Sequence, residues 1–243
     1  MAKMIKTYKG QLVEYEIYKL VDFYDPILRE PTVPFKFESI EDNKRAHYMA
    51  FSMAETLGQY EGLGLSANQV GIKERVCAIN MGNEIWTMFN PEIVSHSLTP
   101  STYQEGCLSY PGLYLKVDRW ESITAKFQAI NGEWLEKEFS GITAVCIQHE
   151  LDHLDGLLYT DKVSSFKLEQ AKRKVKKNLK RIKMYTAQRA AALEQEERRI
   201  TTEKQFLKPK PVTPQEIPKI SILEPGKIPD NKEKSDGVFV YKT

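Results

Sequence analysis

Apolar residues recur at helical spacing after Ser39. Ala46, Met49, Met53 and Leu57 fall on one face of the segment SIEDNKRAHYMAFSMAETLGQYEG, and Ser39 can cap its first turn, so this stretch predicts a helix. GLGLSANQVG (62–71) is too glycine-rich to continue it. RVCAIN (75–80) reads as a buried strand, and IWTMFNPEIV (85–94) as another. The run from Leu115 to Phe139 reads as strand broken by the turn signal Asn131-Gly132. ITAVCIQHELDHL, from Ile142, has helical length and stops at Gly156. A last helix starts near Ser164 or Ser165, with Leu168, Ala171, Val175, Leu179 and Ile182 in one apolar stripe. Beyond Gln205 the chain turns proline-rich and charged, which predicts a disordered or extended tail over 206–237, followed by a strand-like VFVYK.

Composition adds little to this. The 243 residues, 41% hydrophobic and 28% charged, suit one folded domain with an appendage. No apolar run is long enough to span a bilayer and no secretory or transit presequence is legible, so a cytoplasmic protein with no membrane partner is expected. Three cysteines, Cys77, Cys107 and Cys146, are an odd number and far apart, which favours reduced thiols over a disulfide scaffold. Charge is uneven: Lys167 to Lys183 holds nine basic residues against one acid, Glu169, whereas the whole chain is only +2.

The chemistry concentrates in His149-Glu150-Leu151-Asp152-His153. Two histidines four apart share a helix face, about 6 Å apart along the axis at ~1.5 Å rise per residue, so both rings can reach one metal ion. Glu150, rotated about 100° from His149, sits beside such an ion, placed to take a proton from water. This motif alone also arises by chance on surface helices. Here its flanks are Val145, Cys146, Ile147 and Leu154, and burying two histidines and two acids without a shared task is costly. A catalytic site needs a third protein ligand. The residue that would be a third histidine in one peptidase group is Tyr159, and His47 and His96 lie in no ligand context. Upstream, Glu105-Gly106-Cys107-Leu108-Ser109 offers a cysteine in a turn or strand edge, and a thiolate with two imidazoles leaves the fourth position for water.

With GLGLSANQ (62–69), EGCLS (105–109) and QHELDH (148–153) in this order, the chain resembles the peptide deformylases over roughly 17–186, including Asp25-Pro26-Ile27-Leu28-Arg29. Ser66 departs from the alanine more usual in the first motif, and the segment after about 187 has no counterpart in short bacterial members. The resemblance implies an α+β fold, mostly antiparallel strands around a central HExxH helix with a C-terminal basic helix, in a catalytic domain 1–186 with an extension 187–243. It implies one divalent metal ion, Fe2+ with Ni2+, Co2+ or Zn2+ as substitutes, held by Cys107, His149 and His153. Glu150 is then the general base and acid. Gly64 and Gln69 line the site, with the Gln69 amide and the Leu108 backbone N–H directed at the formyl oxygen. Gly62 and Gly64 admit a peptide backbone. Leu63, Ile142, Val145 and Cys146, with Tyr103, match positions bordering the methionine pocket, although for Ile142 and Val145 plain core packing weighs equally. Glu105 and Arg119 match a pair bracing the cysteine loop. N-formylmethionyl nascent peptides are the implied substrates. In bacterial members the C-terminal helix docks on the ribosome, so ribosomal RNA is the expected partner of 167–183, and DNA is not. The alternatives are a general metallopeptidase and a non-catalytic RNA-binding protein with a vestigial site.

Overall fold

Ser39 closes a capping box at the start of the first helix, α1 (Ile40–Gln59), in a computed structural model that describes residues 4–8 and 11–206. Its hydroxyl accepts from the Asp42 N–H at 3.1 Å while the Asp42 carboxylate accepts from the Ser39 N–H at 3.1 Å. The predicted stripe of Ala46, Met49, Met53 and Leu57 is the buried face. It packs on β3 (Gly64–Ser66), β4 (Val76–Asn80) and β5 (Ile85–His96) through Leu65, Val76, Ala78 and Phe89.

These strands belong to a five-stranded antiparallel sheet ordered β3-β4-β5-β8-β9, with β8 at Ser122–Gln128 and β9 at Trp134–Ser140. β6 (Pro100–Cys107) and β7 (Tyr110–Trp120) pair separately as a hairpin, as do β1 (Met4–Tyr8) and β2 (Gln11–Tyr15) at the N-terminus. The run from Leu115 to Phe139 is therefore interrupted twice. The Asn131-Gly132 turn is present, with Gly132 at φ +83°. The second break, at Glu121, has no glycine or proline to announce it. It exists because β7 pairs with β6 whereas β8 pairs with β5, and the Ser97 hydroxyl accepts from the Glu121 N–H at 3.1 Å to hold the crossing.

Gly141, at φ +59°, turns β9 into α2 (Gly141–Leu154). One face of α2 packs Ala144, Cys146, Ile147, Leu151 and Leu154 against Cys77 and Ile79 of β4, Met88 of β5, and Ile123, Ala125 and Phe127 of β8. Each such fully buried aliphatic stabilises the fold by roughly 1.5–3 kcal/mol before entropy is counted. Gly156 ends the helix at φ +74°, and a Cβ there would lie 2.7 Å from the Arg29 carbonyl oxygen, so glycine is required on two counts.

The last helix, α3 (Ser165–Phe206), docks Leu168, Ala171 and Val175 on the cluster formed by Cys107, Leu113, Leu115, Val117 and Tyr159. Leu179, expected in the same stripe, is 51% exposed because the underlying hairpin cluster is covered by the earlier turns. The chain divides into two compact units, Met1–Tyr185 and Thr186–Thr243. The proline-rich stretch from 207 and the VFVYK segment lie outside the described residues. Among the described residues no helix is long and apolar enough to cross a membrane.

Candidate active site

β6 delivers Cys107 at its last residue, just past a register slip between Glu105 and Cys107, before Leu108 and Ser109 turn the chain into β7. α2 supplies His149 and His153 from the opposite side. The ligand atoms of Cys107, His149 and His153 all lie within 4.8 Å of one another, and Cys107 Sγ is 3.3 Å from His153 Nε2. All three residues are buried. His47 and His96 are exposed and hydrogen-bond to the Asn43 and Ser97 carbonyls, and His96 stacks on Trp120 with ring centroids 3.7 Å apart, so neither joins the ligand cluster. Tyr159 is buried with its ring 5.5 Å from that of His149 and its hydroxyl donating to the Leu113 carbonyl, so it packs beside the ligand set.

Each histidine presents one nitrogen to the cluster. His149 Nδ1 is 2.9 Å from Glu105 Oε2, which leaves Nε2 for the centre. Glu105 in turn receives Arg119 Nε at 2.6 Å and Nη2 at 2.9 Å. Both are almost wholly buried, so this pair works at low dielectric and is not a screened surface bridge. Burial opposes ionisation of Glu105, but the bonds from Arg119 and His149 outweigh it and bring the carboxyl down to about 2. Burial likewise pulls the His149 imidazolium down, and the bonds to Cys107 and Glu105 reverse this, raising it to about 10. His153 is held well below the ordinary histidine range by burial and by His149 beside it.

Glu150 is fully buried next to this cluster, and burial pushes its carboxyl up to about 7, into the range where a group can both take and return a proton. Among the described residues its Oε2 has no hydrogen-bond partner, and neither does His153 Nδ1. Gly64 makes room for it: a Cβ there would lie 2.6 Å from Cys146 Sγ and closer still to Glu150 Oε1. Gln69, 1% exposed, is oriented by the Ser66 N–H and hydroxyl, which donate to its Oε1 at 2.9 and 3.0 Å. Its Nε2 then points at Cys107 Sγ (3.4 Å) and Ser109 Oγ (3.2 Å). The Ser66 hydroxyl thus adds a second bond to an amide that the backbone alone could already orient. The Asn68 amide donates to the His153 carbonyl and ties the Ala67–Val70 turn to α2.

A thiolate and two imidazoles converging in a buried place, with an unpartnered carboxylate oxygen alongside, is a donor set that fits a tetrahedral divalent metal with one open position. Against known sequences, residues 17–169 match the family model described as "Polypeptide deformylase". The chain belongs to the peptide deformylase family. It is 38% identical over 152 residues to the peptide deformylase of Thermotoga maritima, covering 62% of this chain and 90% of that protein. It is 39% identical over 168 residues to that of Alkalilimnicola ehrlichii, covering 66% and 90%. The crystal structure of a peptide deformylase from Legionella pneumophila superposes with a TM-score of 0.61 at 33% identity, covering 69% of this chain and 98% of that one. The activity belonging to the family is removal of the formyl group from N-formylmethionyl peptides, and the family is metal-dependent. Its match ends inside α3, so most of that helix lies beyond the shared part.

The remaining positions singled out in the sequence are dispersed by exposure. Leu63 and Ile142 are each 55% exposed, Val145 and Cys146 are buried on α2, and Tyr103 is half-buried on β6 with its hydroxyl donating to Glu121. Leu108 is half-buried and Gly62 is buried, where a Cβ would meet Leu57 and Leu108 at 2.7 and 2.8 Å. Cys77 lies buried in β4 with its thiol pushed far up by burial. Three residues have roles in the site that the sequence reading did not assign. Ser66 and Ser109 flank Gln69, and Asp152 accepts from Arg119. Only the position of Asp152 inside the histidine motif could have pointed to it. A cavity of about 570 Å3, lined by Arg75, Asp118, Arg119, Gln148, Asp152 and Lys162 among others, opens on the Arg119–Asp152 contact and contains none of the three candidate ligands.

Proposed function

We propose that this chain deformylates N-formylmethionyl peptides with one divalent metal ion, Fe2+ foremost, held by Cys107, His149 and His153, and with Glu150 as the proton carrier. The observation that carries this reading is the convergence of the three ligand atoms beside a buried glutamate with an unpartnered oxygen. A bound metal of this kind supplies a water acidic enough to attack near neutral pH and an electrophile for the formyl oxygen. Glu150 accepts the proton of the attacking water and returns it to the leaving amine, releasing formate and a free N-terminus. Gln69 Nε2 is already aimed toward Cys107, and with the Leu108 N–H it stabilises the charge that develops on the formyl oxygen, about 3–4 kcal/mol per well-aimed donor. Gly64 keeps the space at Glu150 open, Gly62 lets the peptide backbone approach, and Leu63, Tyr103, Ile142, Val145 and Cys146 border the methionine side chain. Glu105 and Arg119 hold His149 in one tautomer and brace the cysteine turn.

In this reading residues 1–186 form the catalytic domain, built around the HExxH helix, and 187–243 are an extension. Three unpaired cysteines, one of them a ligand, suit a reducing cytoplasmic setting. The lysines and arginines of 167–183 are mostly exposed on α3 and make it a candidate for ribosomal RNA. Co-sedimentation with ribosomes should weaken as salt rises and on reversal of Lys172, Arg173, Lys176 and Lys177 to Glu. Binding indifferent to both would remove this partner. The activity itself is tested by anaerobic purification, metal analysis and formate release from a formyl-methionyl tripeptide on one sample. Metal-loaded protein that leaves the formyl group in place, or cleaves internal peptide bonds instead, would defeat the assignment.

A further inference from the structure

We propose that Asp152 is a positioning residue for the metal site, acting on His149 and Cys107 through Arg119 and Glu105. The inference rests on the reading of Cys107, His149 and His153 as ligands. Asp152 stands three residues after His149, so both leave α2 on the same flank. Its Oδ2 accepts from Arg119 Nη1 at 2.5 Å, and its Oδ1 from Lys162 Nζ at 3.1 Å. Arg119 directs its other two donors, Nε and Nη2, at the two oxygens of Glu105, and Glu105 accepts from His149 Nδ1. The contacts therefore close a ring: out from α2 at His149 to Glu105 on β6, across to Arg119 on β7, and back to α2 at Asp152. Cys107 is two residues beyond Glu105 on the same strand. The ring thus fixes the hairpin carrying the thiolate against the helix carrying both imidazoles.

Exposure and charge show why Asp152 is needed. The side chains of Glu105 and Arg119 are 5% and 3% exposed, Asp152 15% and Lys162 34%, so the network runs from the centre of the site out to the surface. Two carboxylates balance two cations along it. Without the Asp152 carboxylate, the buried Arg119 Nη1 would lose its charged acceptor, and it could regain one only by turning its fork toward Glu105 and away from the Nε and Nη2 bonds. Lysine cannot replace the arginine, because one ammonium cannot meet three oxygens set in a plane around it.

The test uses the full chain loaded with Co2+, read by its ligand-field bands, by the thiolate-to-cobalt absorption and by competition with a chelator. Asp152→Asn is expected to bind Co2+ about tenfold more weakly than the parent, with altered ligand-field bands, as removal of outer partners of metal ligands does. In a Glu105→Gln background the same substitution should change affinity by less than about twofold, because the route from Asp152 to His149 is already cut. Should Asp152→Asn not fold, Arg119→Lys is expected to show the same loss. Parent-like Co2+ affinity in a folded Asp152→Asn or Arg119→Lys, or an equal loss in both backgrounds, overturns the proposal. A parent chain whose thiolate-to-cobalt absorption is missing, or survives Cys107→Ala, brings down the metal reading itself and this inference with it.

Discussion

Adding a single methyl group at Gly64 tests the placement of Glu150 directly. Gly64 is not among the residues with positive φ, so alanine there introduces no backbone strain and acts only through contact. The new Cβ would stand 2.6 Å from Cys146 Sγ and 2.8 Å from Glu150 Cδ, where comfortable contacts are about 3.5–4.0 Å. Roughly 1 Å must therefore be found. Cys146 and Glu150 are buried one turn apart on α2, and β3 cannot retreat freely because Gly64 is in register with Ile79 of β4. Such overpacking costs about 1–3 kcal/mol. For a chain of this size that lowers Tm by roughly 2–12 °C. The larger effect is on chemistry: pushing the proton carrier out of line removes about 10^2–10^4 in rate. Formate release by Gly64→Ala should thus fall at least about a hundredfold in kcat/KM while metal content stays at the parent level. Gly62→Ala is the companion. Its Cβ meets the Leu57 and Leu108 side chains at 2.7 and 2.8 Å and not Glu150, so the cost falls on packing and activity should fall about tenfold or less. Activity of Gly64→Ala within about threefold of the parent would show that Glu150 is not where the reaction needs it.

Glu150→Gln is expected to lose about 10^2–10^4 in kcat with metal retained, whereas Cys107→Ala should lose the metal as well. Metal analysis after gel filtration separates the two, and a Glu150→Gln chain that emerges metal-free would make Glu150 a ligand. Ser39→Ala removes one half of the α1 capping box and should cost about 1 kcal/mol, a Tm drop of roughly 2–4 °C with turnover unaffected. An unchanged melting curve would mean the box contributes nothing. Asp161 makes a half-exposed ion pair with Arg29; burial opposes its ionisation, but the bonds from Arg29 outweigh it and hold the carboxyl below its ordinary value. A depressed folded-state pKa gives stability that is present above the unfolded value of about 3.9 and lost as pH falls through the folded one. Asp161→Asn should therefore destabilise by about 0.2–1 kcal/mol at neutral pH, and the difference from the parent should narrow as the pH is lowered into acid; a gap that stays constant with falling pH would contradict this.

Local rules carried much of the architecture. The α1 stripe and its serine cap, the glycine after α2 and the buried β4 segment follow from periodicity and backbone chemistry within a few residues, and the structure has them there. The three motifs, taken together and in order, were sufficient to carry the resemblance to the family. What local rules could not supply was partner choice. Nothing near Glu121 marks a break, and the strand ends there only because β7 and β8 find different neighbours. Leu179 looks like its stripe-mates until the packed hairpin cluster is seen to end before it. Along the chain Glu105 and Arg119 stand out only through the resemblance to the family, and Asp152 has no role assigned to it. Only tertiary packing decides that they are excluded from water together, and in low dielectric a charge must be matched by whatever residue the fold sets beside it, however distant in sequence.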